Sequence, residues 1–249
     1  EYNRQELEAL GFANTAVLPV VPDFSHLAGQ NGMQASAYDD GAVNILFVGR
    51  MIPHKRIDDL IRSFAAYKQI FNRQSRLLLV GSHGGFERYY AMLQQLVASH
   101  HIPDVFFAGH VSNDELAAYY QVADVFLCAS EHEGFCVPII ESFHMGVPVL
   151  AYEAAAVPST MDGAGLLYSS KDPLHVAALI DRVVGDEALT DQIVAGQDRA
   201  LQRLLAKDFG STLLGFVEGT LASPRRAHPP VASDFWDQVH QAAELDRIR

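Results

Sequence analysis

Short, unbroken runs of apolar residues alternate with longer segments of helical period along most of this chain. The apolar runs are Ile45–Val48, Leu77–Val80, Val105–Ala108, Val125–Cys128, Val147–Ala151 and Leu166–Tyr168. A strand that is apolar at every position is buried on both faces, as strands are in parallel sheets covered by helices. The pattern therefore predicts a parallel sheet of about six strands.

The segments between these runs carry the signals of helices. Apolar residues follow one face over 57–71 and over 86–97, and Ser112 to Glu115 forms a capping box that opens a helix to about Val122. Pro138 and Gly146 suit the two ends of a short helix, and further helices are expected near 173–185 and 187–205. Strand and helix thus alternate six times, which predicts a doubly wound, Rossmann-like α/β domain with helices on both faces.

The two ends of the chain differ from this pattern. Residues 1–40 hold a short polar helix near 3–10, an apolar stretch over 15–21 and a polar loop, and the tail holds a helix near 211–222, a linker over 223–230 and a last helix near 233–247. We expect these to be terminal helices and linkers, because each piece is too small to form a core alone. The predicted parts are therefore 1–40, 41–222 and 223–249.

Composition excludes several classes of protein. The chain is 49% hydrophobic and 19% charged, which suits a packed core rather than disorder. Its net charge of −12 disfavours nucleic acid and anionic lipid as partners. No apolar run approaches the ~20 residues of a transmembrane segment.

The cysteines and histidines show no pattern typical of metal ligands. The two cysteines are too few for a disulfide framework, and Cys128 lies in an apolar run where a buried, reduced thiol is expected. None of the 11 histidines falls in an H-E-x-x-H or Cys/His ligand spacing. The sequence therefore predicts no metal site and a reducing compartment.

Ligands of open α/β sheets bind where strands end and helices begin, so the loops after the apolar runs are the candidate binding loops. In the loop after the first run, Arg50, Lys55 and Arg56 crowd the start of a helix that continues with Asp58 and Asp59. Arg50 and Lys55 facing a bound diphosphate is one interpretation, and a solvated basic edge with its charge partly offset by the aspartates is the other.

The loop after the fourth run combines acids with a glycine. Glu133 and Gly134 follow the strand, and Glu141 falls in the first turn of the next helix. Backbone amides at that helix start suit a phosphate, and the flanking carboxylates suit sugar hydroxyls, so the pattern fits a nucleotide sugar. Taken singly, Glu141 is explained by compensation of the helix dipole, and Glu133 is explained as a solvated loop carboxylate.

Four motifs carry a family resemblance over about 43–222. They are Gly49-Arg50 with Lys55, Glu133-Gly134-Phe135-Cys136-Val137-Pro138-Ile139-Ile140-Glu141, Gly146-Val147-Pro148-Val149, and Ala164-Gly165-Leu166-Leu167-Tyr168. In this order and spacing the chain resembles the C-terminal, donor-binding domain of family 4 (group 1) GT-B glycosyltransferases. Glu133 and Glu141 match that family's E-x7-E motif.

The resemblance implies roles for individual residues. Those implied to be catalytic are Arg50 and Lys55, which would hold the donor diphosphate, and Glu133, which would orient the sugar. Those implied to bind the donor are the loop residues Gly49 and Gly134, the amides of Phe135, Cys136 and Val137, Glu141 on the ribose, and Gly81, Ser82 and Val111 near the base.

The resemblance also implies what surrounds this chain. Residues 1–40 would be the remnant of an N-terminal domain that binds a saccharide or lipid-linked acceptor, so the chain alone is expected to be inactive. No cofactor is expected, since a UDP- or GDP-sugar is the substrate. The reaction would retain anomeric configuration without a metal, in cell-envelope polysaccharide synthesis, in the cytoplasm or peripherally at the inner face of the membrane.

The chain departs from the family pattern in three places, and three other functions are alternatives to the one that the resemblance implies. The loop after Gly81 lacks a frequent Asp, Cys136 stands where Gly is frequent, and 154–158 replaces a glycine-rich loop. A nicotinamide oxidoreductase is disfavoured because no G-x-G-x-x-G follows the first apolar run. A nucleotide-sugar epimerase or phosphorylase, and a non-catalytic binding or assembly module, remain as alternatives.

Overall fold

The computed structural model of the protein describes residues 1–12, 15–18, 20–28 and 37–222. The chain divides into two compact units, Glu1–Lys207 and Asp208–Arg249. The predicted linker at 223–230 and the predicted helix at 233–247 lie outside the described residues, as does most of the polar loop before residue 37. The predicted domain boundaries at 40/41 and 222/223 stay predictions.

Six parallel strands form one sheet. They are β1 Val43–Val48, β2 Ser75–Val80, β3 Val105–Gly109, β4 Val125–Cys128, β5 Val149–Tyr152 and β6 Leu166–Tyr168. Their order across the sheet is β3-β2-β1-β4-β5-β6, with every pairing parallel. The chain therefore reverses its direction of travel between β1 and β4, which is the switch point where open α/β sheets bind ligands.

Each predicted run overlaps a strand, and β5 is the strand that begins later than its run. The run began at Val147, whereas the strand begins at Val149. Pro148 has no N–H to give to a ladder, although its carbonyl accepts from the amide of Phe126 at 2.9 Å. Gln197, which is fully buried, accepts from the Val149 amide at 2.8 Å and donates to the Val147 carbonyl at 2.9 Å, and so pins this strand end.

The helices of the first unit are α1 Tyr2–Ala9, α2 Ile57–Ile70, α3 Glu87–Ser99, α4 Asn113–Gln121, α5 Val137–His144, α6 Val157–Met161, α7 Pro173–Gly185 and α8 Glu187–Leu205, with short 3-10 helices at Ser25–Leu27 and Pro53–Lys55. The helices expected within this unit are confirmed within two residues at each end. The capping box is confirmed in part, since the Ser112 hydroxyl accepts from the Glu115 amide at 3.3 Å. Helix α6 is not among the predicted helices, because residues 154–158, which include its start, are predicted as a loop.

Helices cover both faces of the sheet, as predicted. Alternate strand residues point to opposite faces. On one face Ile45 and Phe47 pack in a cluster with α2, α3 and α7. On the other, Leu46 packs in a cluster with α4, α5 and α6. The fold is therefore the predicted doubly wound, Rossmann-like α/β sheet.

The N-terminal segment of the first unit adds no strand in its described residues 15–18 and 20–24. Leu27, which follows them, is buried in the core. In the second unit, helix α9 spans Phe209–Ala222, and none of its side chains is buried. Among the described residues, every helix falls short of the length and apolarity needed to cross a membrane.

Candidate functional site

The loops selected from the sequence meet at the switch point. The loop after β1 and the loop after β4 are tied by the Glu131 amide, which donates to the His54 carbonyl at 2.8 Å. The loop after β2 joins them, since the Met51 amide donates to the Ser82 carbonyl at 2.9 Å. Three of the predicted loops therefore form one continuous edge at the carboxyl end of the sheet.

Two glycines allow the first two loops to approach each other. A Cβ built on Gly81 would lie 1.9 Å from the carbonyl oxygen of Gly49, and the φ of Gly81 is +142°. The Gly81 amide also donates to the Gly109 carbonyl at 2.8 Å. Any other residue at position 81 would force the loops apart, because real side chains do not tolerate such a contact.

Lys55 and Glu133 form an ion pair across the switch point. The Lys55 Nζ contacts the Glu133 Oε1, and the two side chains are only 15% and 8% exposed. Lys55 reaches this position because it ends the 3-10 helix Pro53–Lys55. The structure thus brings together two of the three residues predicted to be catalytic.

The other two cations of the loop make different contacts. Arg56 pairs with Asp59 at 2.9 Å and with Asp58 at 3.4 Å, which confirms that the aspartates offset charge at this helix start. Arg50 is exposed, donates to the Gly84 carbonyl at 3.1 Å and lies over the Phe86 ring at 5.6 Å from its centroid. The prediction that Arg50 and Lys55 face one anion stays a prediction.

Backbone amides are left open at the start of α5. In the described part of the chain, no group accepts a hydrogen bond from the backbone N–H of Phe135, Cys136 or Val137. Cys136 has φ +64° and ψ +68°, a left-handed conformation that glycine adopts more easily than other residues. The amides and the positive end of the helix dipole make this a cradle for an anion.

Glu141 lies in the second turn of α5 and not in the first as predicted, because the helix begins at Val137. It is buried, with 6% exposure. Its Oε2 accepts from the Tyr120 hydroxyl at 2.8 Å, and its Oε1 lies 2.8 Å from the His26 Nε2. Burial and the Glu141 carboxylate raise the pKa of Tyr120 far above its usual value, so this hydroxyl remains a donor. Sequence reasoning missed His26, since no local motif marks a residue that lies 115 positions before its partner.

The two cysteines also meet at this site. Cys128, Cys136 and Glu133 are all buried, and their Sγ and carboxylate oxygen atoms lie within 4.8 Å of one another. The hydrogen bond of the Cys136 thiol with Cys128, together with burial, raises the pKa of Cys136 well above its usual value. No ligand spacing in the sequence predicts this cluster, because the conformation of the loop after β4 brings the three side chains together.

The remaining predicted donor-binding residues lie along the same edge. Ser82 is half-buried, and its hydroxyl accepts from the Gly84 amide at 3.1 Å. Val111 is half-buried and packs against the core. Gly134 is exposed, and a Cβ on it would lie 3.8 Å from the Asn3 side-chain amide.

A cavity of about 410 Å³ opens beside the α5 cradle. It is bounded by α1 and residues of the 16–20 segment on one side and by Gly134, Phe135 and Ser159 on the other. Its walls also include Lys207 and Arg4, and the Arg4 side chain pairs with Glu1 at 2.5 Å. The volume suits part of a small polar ligand next to the open amides.

The fold and this edge of the sheet define the class of protein, which is a doubly wound α/β domain with an anion cradle at its switch point. The family description "Glycosyl transferases group 1" matches residues 31–198. The chain therefore belongs to the group 1 glycosyl transferases, and the resemblance predicted from its motifs is confirmed.

Individual proteins agree with this assignment. The chain is 31% identical over 195 residues to a D-inositol 3-phosphate glycosyltransferase of Acidothermus cellulolyticus, covering 76% of this chain and 43% of that protein. It thus spans less than half the length of that relative.

Solved structures share the fold. Anabaena HepE in complex with UDP-glucose matches with a TM-score of 0.64 at 22% identity, covering 82% of this chain and 54% of HepE. The C-terminal domain of the group 1 glycosyl transferase LpcC of Francisella tularensis matches with a TM-score of 0.59 at 19% identity, covering 74% of this chain and 97% of that domain.

Proposed function

We propose that this chain is the donor-binding half of an enzyme that transfers a sugar from a nucleoside diphosphate to an acceptor. The observation that carries this proposal is the start of α5, where three open amides lie beside the Lys55–Glu133 ion pair and the buried Glu141. The complex of HepE with UDP-glucose supports a UDP-sugar as the donor, and a GDP-sugar is the other candidate.

In the proposed reaction the bond between the anomeric carbon and the diphosphate breaks, and negative charge grows on the leaving phosphate. The amides of Phe135, Cys136 and Val137 would donate to its oxygens, and Lys55 would turn from Glu133 to the phosphate. A well-placed donor of this kind contributes about 3–4 kcal/mol to transition-state stability. Arg50 would exchange the Gly84 carbonyl for a phosphate oxygen in the same way.

The two carboxylates would bind the neutral parts of the donor. Glu133, released from Lys55, would accept from sugar hydroxyls and stabilise positive charge near the ring. Glu141 would accept from the ribose hydroxyls, for which the His26 ring has to leave its Oε1. The base would lie against Gly81, Ser82 and Val111.

The same proposal extends to the whole enzyme. Retention of configuration, transfer without a divalent metal and an acceptor held by a preceding domain are parts of it, and none needs a cofactor. We place the enzyme in the cytoplasm or at the inner face of the membrane, in cell-envelope polysaccharide synthesis with a saccharide or lipid-linked acceptor.

Calorimetry with UDP-, GDP- and ADP-sugars tests the proposal directly. This chain should bind one nucleotide diphosphate and its sugar and should transfer nothing by itself. No binding across the panel would favour a non-catalytic module, and efficient transfer by this chain alone would show that its boundary is misplaced. Analysis of the products of the full-length enzyme separates transfer from epimerisation.

Two substitutions in the full-length enzyme test the assigned roles. Arg50→Ala and Glu133→Ala should each lower kcat/KM by at least about tenfold, because each removes a contact to the reacting diphosphate or sugar. Arg182→Ala, on the exposed face of α7, is the matched control and should leave turnover unchanged. Near-normal turnover in either site variant refutes the role given to that residue.

A further inference from the structure

Three buried side chains with metal-binding atoms converge beneath the α5 cradle. Cys128 ends β4, while Glu133 and Cys136 belong to the loop that follows it, and their exposures are 1%, 7% and 8%. The two Sγ atoms and a carboxylate oxygen lie within 4.8 Å of one another. Two sulfurs and a carboxylate are a donor set suited to soft divalent ions such as Zn²⁺.

The spacing suits a tetrahedral ion. With metal–sulfur bonds of about 2.3 Å, two thiolates on a tetrahedral ion lie about 3.8 Å apart, and a carboxylate oxygen lies slightly closer. Since no pair of ligand atoms exceeds 4.8 Å here, closing on an ion requires movements of about 1 Å or less. The ligands sit on one strand end and one loop, so the loop can supply that movement.

The charges of the site also balance. On binding a divalent ion the two thiols would release their protons to solvent, leaving two thiolates and the Glu133 carboxylate around the ion. Lys55, already in contact with Glu133, offsets the remaining negative charge. The Ser130 hydroxyl, 3.3 Å from the Cys128 sulfur, can orient that ligand as outer partners commonly do.

We propose that Cys128, Glu133 and Cys136 form a binding site for a soft divalent cation, and that an ion bound there excludes the nucleotide-sugar donor. The second part rests on the proposed function, since Glu133 and Cys136 are the residues that the donor would engage. The ion fixes Glu133 and pulls the cradle inward. Binding the ion and binding the donor are therefore mutually exclusive.

Titration of the reduced chain with Co²⁺ tests the site without any donor. A thiolate–cobalt charge-transfer band in the near ultraviolet should appear as Co²⁺ is added, and it should disappear when a chelator is added. Histidines elsewhere cannot give this band, and the exposed His100→Ala variant should keep it. Absence of the band, or a disulfide between the cysteines in place of a metal complex, overturns the site.

Two variants report on the ligands separately. Cys128→Ser and Cys136→Gly should each abolish the band, and the glycine suits the left-handed backbone at 136. Unchanged thermal unfolding shows that a variant is folded, so if one fails to fold the other still decides. A band that survives in a folded variant contradicts the assigned ligand set.

Competition separates this proposal from the proposed function. UDP or the sugar donor identified by calorimetry should raise the apparent Kd for Co²⁺ by at least about tenfold, after correction for the Co²⁺ that the nucleotide itself chelates in solution. A cobalt band that donor leaves unchanged, in a chain that binds donor, overturns the exclusion. A cobalt band in a chain that binds no nucleotide sugar leaves the cation site standing and removes the proposed function.

Discussion

Replacing Gly81 by alanine tests whether the close approach of two loops holds the site edge together. The new Cβ would lie 1.9 Å from the Gly49 carbonyl oxygen, whereas a relaxed carbon–oxygen contact is about 3.3 Å. The loops would have to separate by about 1.4 Å. That movement strains two hydrogen bonds, the one from the Gly81 amide to the Gly109 carbonyl and the one from the Gly49 amide to the Val80 carbonyl.

The expected cost follows from these losses. Two weakened backbone hydrogen bonds cost about 1 kcal/mol each, and an alanine at φ +142° adds about 1–2 kcal/mol of backbone strain. A loss of about 3–4 kcal/mol lowers the Tm of a domain of this size by about 10 °C. Affinity for the donor should fall as well, since the base is proposed to lie against this loop.

Thermal unfolding followed by circular dichroism measures the effect, and Gly196→Ala is the control. Gly196 lies inside α8, and a Cβ there meets only the end of Arg199 at 3.8 Å. Alanine at 196 should raise stability by about 0.5–1 kcal/mol through helix propensity. A Gly81→Ala variant that unfolds within about 2 °C of the parent protein would refute the steric argument.

Two further predictions concern packing and pH. Gln197→Leu should cost about 2–5 kcal/mol in chemical denaturation, because the Val149 amide and the Val147 carbonyl lose their buried partner, whereas Gln202→Leu on the exposed face of the same helix should change stability little. Burial raises the pKa of Tyr89 from 10 to about 12, so its share of stability is complete below pH 10 and is lost as pH rises toward 12. Tyr89→Phe should therefore flatten the alkaline decline in unfolding free energy, and an unchanged slope contradicts this.

The fold was predictable where local chemistry and tertiary packing agree. Helices α7 and α8 begin at the expected residues because Asp172 and Asp186 cap them, accepting from amides at 2.8 and 3.1 Å. Strand β5 was predicted two residues too early because an apolar run does not show where its ladder begins. Pro148 breaks that ladder, and the residue that completes the strand end, Gln197, comes from a helix far along the chain.

The candidate site was predictable as a set of loops and not as a set of contacts. Parallel strands bring their carboxyl ends to one edge, which is why the loops holding Lys55 and Glu133 could be paired from the sequence. The partners of single side chains depend on loop conformation. Arg50 donates to the Gly84 carbonyl. Cys136 lies beside Cys128 because Cys136 itself has a left-handed backbone conformation, which its sequence context does not predict.

These contacts bear on how the proposed donor would bind. Lys55 is paired with Glu133, Glu141 with His26, and Arg50 with a backbone carbonyl. A donor that engages these groups exchanges each existing contact for a new one, so only the difference between the two contributes to affinity. The amides at the start of α5 have no protein partner to give up in the described part of the chain, so they exchange only water for the charged phosphate oxygens. The diphosphate should therefore supply most of the affinity, while the exchanging side chains discriminate between sugars and bases by how well each replaces the contact that it displaces.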